Sequence, residues 1–302
     1  MITFRPIELA DKETLLRYLR LYPDNEGSEC TFSNLYIWGQ TDGIGWAIED
    51  DCLLLHGRRQ DGMPCMMMAF APRARMCCAL GAGITAMAER KEAFCMSSLP
   101  AWYCDLMADC RPGFFVFERE PHHDDYVYNT ADLLNLPGRD FHAKRNHINK
   151  FTSMYEGRYD YLPYTPDLAE ACMAVYDRWA ATQGDAATFA GERLSVHRAL
   201  RHAQALGLVG GVLRVAGRVE AFSVGERITG DMALIHIEKA NADIPGLFTM
   251  INREFVRNAF ADTRWINREE DMGLEGLRRA KRSYNPARMI EKYSAVLAHG
   301  AL

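Results

Sequence analysis

The chain has 302 residues, 48% hydrophobic and 25% charged, with 35 Lys and Arg against 40 Asp and Glu and a formal net charge of -5. That composition supplies a core large enough for two lobes of roughly 150 residues each and excludes a disordered tail protein. The acidic balance (pI near 6.0) excludes broad nucleic-acid affinity. No apolar run reaches the ~18 residues needed to span a bilayer. Met1-Ile2-Thr3-Phe4-Arg5 leads into a strand-like segment rather than a signal peptide, so the expected location is the cytoplasm.

In chain order, 2–9 reads as a strand and 11–21 as a helix, with Leu15, Leu16 and Leu19 on one side and Asp11 as its N-cap. Short strands are expected at 45–49, 52–56 and 65–70, then a helix from about Ile84 to Phe94 and strands at 114–118 and 126–128. The second half opens with a strand at 159–164. Thr165-Pro166-Asp167 then starts a helix, because the donor that proline lacks is not needed in a first turn. A second helix covers 192–205, and 208–216 with 219–225 form a hairpin around Gly217-Arg218. The next strand is 233–239, and 247–260 is an amphipathic helix through Leu247, Met250, Ile251, Phe255 and Ala259. Hairpin, strand and helix in that order match the core of an acetyltransferase-like (GNAT) fold. The rhythm of strand, helix, strands and helix occurs twice, which implies an α+β protein of two lobes, 1–155 and 156–302.

The nine cysteines (Cys30, Cys52, Cys65, Cys77, Cys78, Cys95, Cys104, Cys110 and Cys172) contain no Cys-x-x-Cys pair and are odd in number. Most sit among Met, Ala and Phe, as in Met76-Cys77-Cys78-Ala79, where a thiol serves as a small buried hydrophobe. Reduced cysteines and no metal site are expected.

The densest polar segment runs from Trp265 to Pro286. A turn with alternating carboxylates and glycine precedes a short helix that puts Arg278, Lys281 and Arg282 on one face. One reading is an acid-plus-base corner for a zwitterionic or phosphate-bearing ligand. The other is a solvated helix with Glu275 pairing Arg278 or Arg279. Glu238 and Lys239 end the strand 233–239 and alternate in direction, so only one of them can face a given cleft. His236 reads as a satisfied core histidine. Residues 139–150 hold Arg139, Lys144, Arg145 and Lys150 against one acid, Asp140, which suits phosphate binding or a basic surface linker.

Three ordered segments carry a family resemblance: Leu136-Pro137-Gly138 leading to Lys144-Arg145-Asn146-His147-Ile148-Asn149-Lys150-Phe151, then His236-Ile237-Glu238-Lys239-Ala240-Asn241, then Asn267 to Pro286. Together they resemble the catalytic domain of bacterial phosphatidylglycerol lysyltransferases, and most of all the soluble branch of that family. The resemblance implies two tandem GNAT-like lobes and a transferase. Its donor would be an aminoacyl-tRNA, and its acceptor a hydroxyl or amine on a small molecule or lipid headgroup. Matching positions imply Asp271 and Glu238 for holding the aminoacyl ammonium, Arg278 and Lys281 for the developing oxyanion, and Tyr284 for the acceptor proton. They also imply Lys144, Arg145, Asn146, Lys239 and Asn267 for substrate binding. Any tRNA contact on a chain of this charge should be local and salt-sensitive.

Acetyl-CoA is the less favoured donor. The link Asn241-Ala242-Asp243-Ile244-Pro245-Gly246-Leu247 has one glycine, a proline without a donor and an acid where a pyrophosphate would dock. Gly81-Ala82-Gly83 is a weak signal by itself. An acetyl-CoA-dependent N-acyltransferase and a non-catalytic amino-acid- or anion-binding protein remain the alternatives.

Overall fold

The computed structural model describes residues 2–59, 61–183 and 189–299. The first part of the chain forms β1 (Arg5–Pro6), α1 (Lys12–Leu19), α2 (Phe32–Gly39), β2 (Gly45–Glu49), β3 (Cys52–Arg58), β4 (Pro64–Met66), α3 (Met76–Glu89), β5 (Cys95–Pro100), α4 (Ala101–Cys110) and β6 (Phe115–Arg119). It continues with β7 (Asp125–Asn129), α5 (Thr130–Asn135), α6 (His142–Tyr155), β8 (Tyr159–Pro163), α7 (Ala169–Ala181) and α8 (Ala190–Leu206). Then come β9 (Val209–Val215), β10 (Arg218–Arg227), β11 (Met232–Ala240), α9 (Leu247–Ala259), β12 (Trp265–Asn267), α10 (Glu275–Arg282), β13 (Arg288–Ile290) and β14 (Lys292–Leu297).

These strands make two seven-stranded sheets, ordered β1-β2-β3-β4-β5-β14-β6 and β13-β7-β12-β11-β10-β9-β8. Each contains a parallel pair, β4 with β5 and β11 with β12, amid antiparallel neighbours. A parallel pair requires a crossover, which α3 supplies in the first sheet and α9 in the second. Each sheet also takes a strand from elsewhere in the chain. β14 lies between β5 and β6, while β7, which directly follows β6 in sequence, lies between β12 and β13.

The chain therefore divides into compact units at places other than 155. One unit is 1–125 with 270–273 and 289–302; the other is 126–269 with 274–288. The expected break at 155 falls at the end of α6, whose Ile148 and Phe151 belong to the core built by β9, β10 and α9. A helix buried against a sheet is part of that sheet's unit, whatever half of the sequence it comes from.

In the second unit the residues explain their elements directly. Ala216 and Gly217 both have positive φ, which sets the tight turn joining β9 to β10. The expected face of α9 is buried: Leu247, Met250 and Ile251 pack on Leu213, Val215, Ala221, Ala240 and Phe151. Gly246 enters this helix at φ +84, and a Cβ there would stand 2.2 Å from the His147 carbonyl oxygen, so α6 and α9 approach closely because that position is glycine.

In the first unit the sequence expectations needed correction. The strand expected over 2–9 shrinks to Arg5–Pro6. Asp11 does not cap α1; its buried carboxylate accepts from Arg5, from the Glu8 backbone N–H and from Trp46 Nε1. The helix expected at 84–94 runs from Met76 to Glu89, with Gly81 and Gly83 inside it. Gly83 faces Met66 of β4, where an added Cβ would make ordinary van der Waals contact at 3.4 Å. Helices α2 and α4 were not expected.

Cys77 and Cys110 form a disulfide with Cα atoms 5.2 Å apart, which corrects the expectation of uniformly reduced cysteines. The two lie 33 residues apart, and the packing of α3 on α4 brings them into range. Cys78, beside this bridge, is exposed rather than buried.

Lys292, the first residue of β14, is wholly buried and paired with Glu29 and with Asp125 at 3.4 Å. Asp125 in turn accepts from the Ser28 N–H and hydroxyl. Burial disfavours the ammonium, yet the two carboxylates outweigh it and hold Lys292 charged. No helix among the described residues is long and apolar enough to cross a membrane.

Candidate functional site

The parallel pairing of β11 and β12 lasts three residues, ending at Leu234 and Asn267. β11 then continues along β10 to Ala240, while the chain leaves β12 at Arg268. Strands that part at their carboxyl ends open a crevice, the usual place for a ligand in sheets with parallel pairs. Here two ion pairs span the divergence: His236 with Glu269 at 2.9 Å and Glu238 with Arg268 at 2.9 Å.

His236 is the extra residue of a bulge, since Val224 pairs with Ile237 and Gly225 with Ile235. Gly225 is required opposite it, because a Cβ there would lie 2.3 Å from the Leu234 carbonyl oxygen. The bulge aims the imidazole between two carboxylates, Nε2 to Glu226 at 3.0 Å and Nδ1 to Glu269. Burial favours the neutral ring, but the two carboxylates win and push its pKa up to about 9. Both ring nitrogens donate, so His236 is a fixed cation that ties the chain after β12 to β10.

Beside this brace lies a second cluster built on Arg268. Its Nη2 donates to Glu238 Oε1, and Asn252 of α9 donates to Glu238 Oε2 at 2.9 Å. Its guanidinium carbon lies 4.8 Å from the centroid of the Tyr284 ring and 5.6 Å from that of Tyr128. Arg268 Nη1 and Asn252 Oδ1 are buried with no hydrogen-bond partner among the described residues. Leaving such a donor and acceptor unmade costs about 1–3 kcal/mol each, more for the charged one, so the pair is poised for a ligand that offers both an acceptor and a donor.

Lys144 comes to the same cluster from α6, with Nζ 3.7 Å from the centroid of the Tyr284 ring. Burial and the neighbouring Arg268 charge lower its pKa to about 8, so an appreciable fraction is free amine near neutrality. Tyr284 is itself buried, which raises its pKa, and its hydroxyl meets Thr249 and Arg268. Lys281 donates to the Arg268 and Glu269 carbonyls, and Tyr128 donates to the Lys281 carbonyl at 2.8 Å, so the backbone carrying Arg268 is held from behind.

Of the residues singled out in the sequence, Glu238, Tyr284 and Lys144 thus converge, with Lys281 supporting them through the backbone. Asn267 is fully buried and its side chain accepts the Glu269 N–H, shaping the departure from β12. The others show different contacts. Asp271 belongs to the other compact unit, where its buried carboxylate accepts the Gly273 N–H. Arg278 is half-buried on α10, whose exposed side shows the expected Glu275–Arg279 pair at 4.0 Å. Arg145 holds the Leu136 and Gly138 carbonyls, and Asn146 pairs with His142 on the exposed face of α6. Lys239 alternates away from Glu238, as expected, and reaches Glu192 at 2.8 Å over the Trp179 ring. Arg268, Asn252, Thr249 and Tyr128 were not anticipated. Arg268 stands within the motif 267–286, but its partner is 30 residues distant in sequence.

Three backbone donors of one candidate pyrophosphate turn are engaged, and the glycines of the other lie inside a helix. In the link before α9, Asp243 N–H goes to the Asn241 side chain, Ile244 N–H to the Asn241 carbonyl and Leu247 N–H to the Ile244 carbonyl, while Pro245 has none. Gly81 and Gly83 lie within the α3 helix.

Two mixed sheets, each with a helix crossing over a parallel pair, make this a protein of two tandem GNAT-like lobes. A tandem GNAT protein from the clavulanic acid biosynthesis pathway superposes with a TM-score of 0.51 at 12% identity, covering 98% of each chain. The L-PGS structure from Bacillus licheniformis gives 0.66 at 13% identity over 95% of this chain and 91% of that one. A conserved protein of unknown function from Bacteroides thetaiotaomicron VPI-5482 gives 0.86 at 34% identity, covering 99% of this chain and 100% of that one. The profile of the family described as "Phosphatidylglycerol lysyltransferase, C-terminal" matches residues 22–296, and the chain belongs to that family. No curated protein matches the sequence.

Proposed function

We propose that this family member is a transferase that moves an aminoacyl group from an aminoacyl-tRNA to an amine or hydroxyl acceptor, with the chemistry in the crevice between β11 and β12. The observation that carries the reading is the unpartnered, buried Arg268 Nη1 beside a lysine of lowered pKa. An aminoacyl ester is already activated, so the protein must chiefly position it and stabilise the charge that develops on its carbonyl oxygen. In this reading the acceptor heteroatom attacks the ester carbonyl and the oxyanion forms at Arg268 Nη1. The acceptor proton passes to the Lys144 amine, directly or through the Tyr284 hydroxyl, and the carrier's ribose hydroxyl leaves with a proton. Glu238 fixes the guanidinium, and the Tyr128 and Tyr284 rings flank the site with surfaces suited to an aminoacyl ammonium. Arg268 takes the role that the family resemblance implied for Arg278 and Lys281.

The carrier's phosphates find Arg139, His142, His147 and Lys150 exposed along and just before α6, the helix that also supplies Lys144. On a chain whose overall net charge is -5, this contact is confined to that local basic stretch and weakens with salt. A small molecule or a lipid headgroup fits the acceptor role equally. The engaged N–H groups of Asp243, Ile244 and Leu247, and the position of Gly81 and Gly83 inside α3, disfavour acetyl-CoA.

The test is a thermal-shift screen with amino-acid amides and esters, charged tRNA at two salt concentrations, and acetyl-CoA, on the wild type and Arg268→Met, followed by transfer assays from charged tRNA. Stabilisation by aminoacyl analogues that Arg268→Met abolishes supports the reading. Stabilisation by acetyl-CoA alone, with no response to any aminoacyl compound, overturns it in favour of an ordinary acyltransferase.

A further inference from the structure

The other compact unit holds a group of side chains that the transfer chemistry does not use. Glu120, His122 and His123 follow β6, and one ligand atom from each lies within 4.8 Å of the other two. Glu120 and His123 are buried and His122 is half-buried, so the group sits in the wall of the unit with one side toward solvent. The two imidazole rings stand 4.2 Å apart.

Glu120 and His123 are already oriented. The His123 N–H donates to the Glu120 carbonyl, which folds the short turn so that both side chains point together. Glu120 Oε2 accepts from the Ser97 hydroxyl at 2.9 Å and from the Ser98 N–H at 3.3 Å, leaving Oε1 near Arg59 at 3.8 Å. A carboxylate offers about four lone-pair positions, so these contacts leave it able to ligate. Glu270 accepts from His123 Nδ1 at 2.6 Å, which leaves Nε2 as the ligating nitrogen. A carboxylate behind an imidazole is the arrangement that fixes the tautomer and raises the basicity of metal-bound histidines. Glu29 also acts on His123 through space, and Asp42 stands near Glu270, so negative charge predominates around the pair.

We propose that Glu120, His122 and His123 bind a divalent transition-metal ion of the zinc class, with Glu270 holding His123 from behind. Two imidazoles and one carboxylate are a three-ligand set that leaves at least one position for water or an anion. Donors around tetrahedral zinc stand about 3.3 Å apart, given bonds of ~2.0–2.1 Å, so the group must tighten by up to roughly 1.5 Å. Rotation of His122, the least buried of the three, supplies that movement. This site does not depend on the transfer reading.

The experiment uses the full chain stripped with chelator and titrated with Zn²⁺ alone by calorimetry, and with Co²⁺ as a spectroscopic probe. One ion per chain at micromolar affinity or tighter is expected, with a Co²⁺ spectrum lacking the thiolate charge-transfer band. His122→Ala should remove binding, and Glu270→Gln should weaken it by roughly 10–100-fold while circular dichroism is unchanged. Failure to take up either ion, uptake unaltered in both variants, or a thiolate band lost in Cys78→Ser would each overturn the proposal. If His122→Ala does not fold, the Glu270→Gln titration decides by itself.

Discussion

His236 makes the stability of this protein fall with rising pH in a window that can be named in advance. Its imidazolium, clamped between Glu226 and Glu269, has a pKa of about 9 in the folded chain against an ordinary value of 6.5 for the unfolded one. The folded state therefore binds the extra proton between those values. The stabilisation is complete below about pH 6.5, declines by about 1.4 kcal/mol per pH unit above it and is gone above pH 9. From 6.5 to about 9 that amounts to roughly 3 kcal/mol. Lys144 acts the other way: its lowered pKa makes the folded chain shed a proton sooner, so stability from that group rises with pH above about 8. The comparison must accordingly be made against His236→Gln at matched pH. Urea midpoints at pH 6, 7.5 and 9 should decline steeply for the wild type and less for the variant across that window. An imidazole signal titrating near pH 6.5 by NMR, or identical pH slopes for the two proteins, would refute the argument.

Three further outcomes follow from other parts of the molecule. If Lys144 accepts the acceptor's proton as free amine, the transfer rate should rise with pH to a plateau above about 8, and Lys144→Arg should abolish that limb while leaving donor binding largely intact. Lys292→Met should destabilise the fold by about 3–5 kcal/mol, because it strands the Glu29 and Asp125 carboxylates in the interior; a loss below about 1 kcal/mol in chemical denaturation would show the triad to be dispensable. Gly246→Ala should cost more than about 2 kcal/mol, since a left-handed backbone and a clash with the His147 carbonyl coincide there, whereas Gly276→Ala, with nothing within 4 Å, should be near neutral.

Much of the second lobe was legible because its elements have simple periods. Gly217 marks the β9–β10 hairpin, although the turn pair is Ala216-Gly217 and not the expected Gly217-Arg218, and Leu247, Met250, Ile251 and Phe255 mark the buried side of α9. The first lobe was less so. α3 is apolar nearly all round, with Met76, Ala79, Leu80, Ile84 and Met87 all buried, so periodicity does not show where it begins. β14 was not seen, because Lys292 heads it and a wholly buried lysine looks like a surface residue until Glu29 and Asp125 are found beside it. Within the crevice, Glu238 and Tyr284 could be singled out by residue type and motif. Arg268 could not, since its significance comes from an atom left without a partner, and hydrogen-bond satisfaction is a property of three dimensions. The bulge at His236 was hidden for a related reason: it depends on register with β10, which Gly225 permits but does not announce.

The exchange of β7 and β14 bears on how such a chain is made. Arg119 and Lys292, neighbours across β6 and β14, are separated by 173 residues. During synthesis, β5 and β6 emerge early, yet the strand that belongs between them arrives only after the whole second lobe has left the ribosome. For that interval two strand edges lie open to any extended segment nearby, including the equivalent strand of another chain. Assembly of the first sheet is thus timed by completion of the second, and a fragment ending before Lys292 would carry a permanent invitation to pair with the wrong partner.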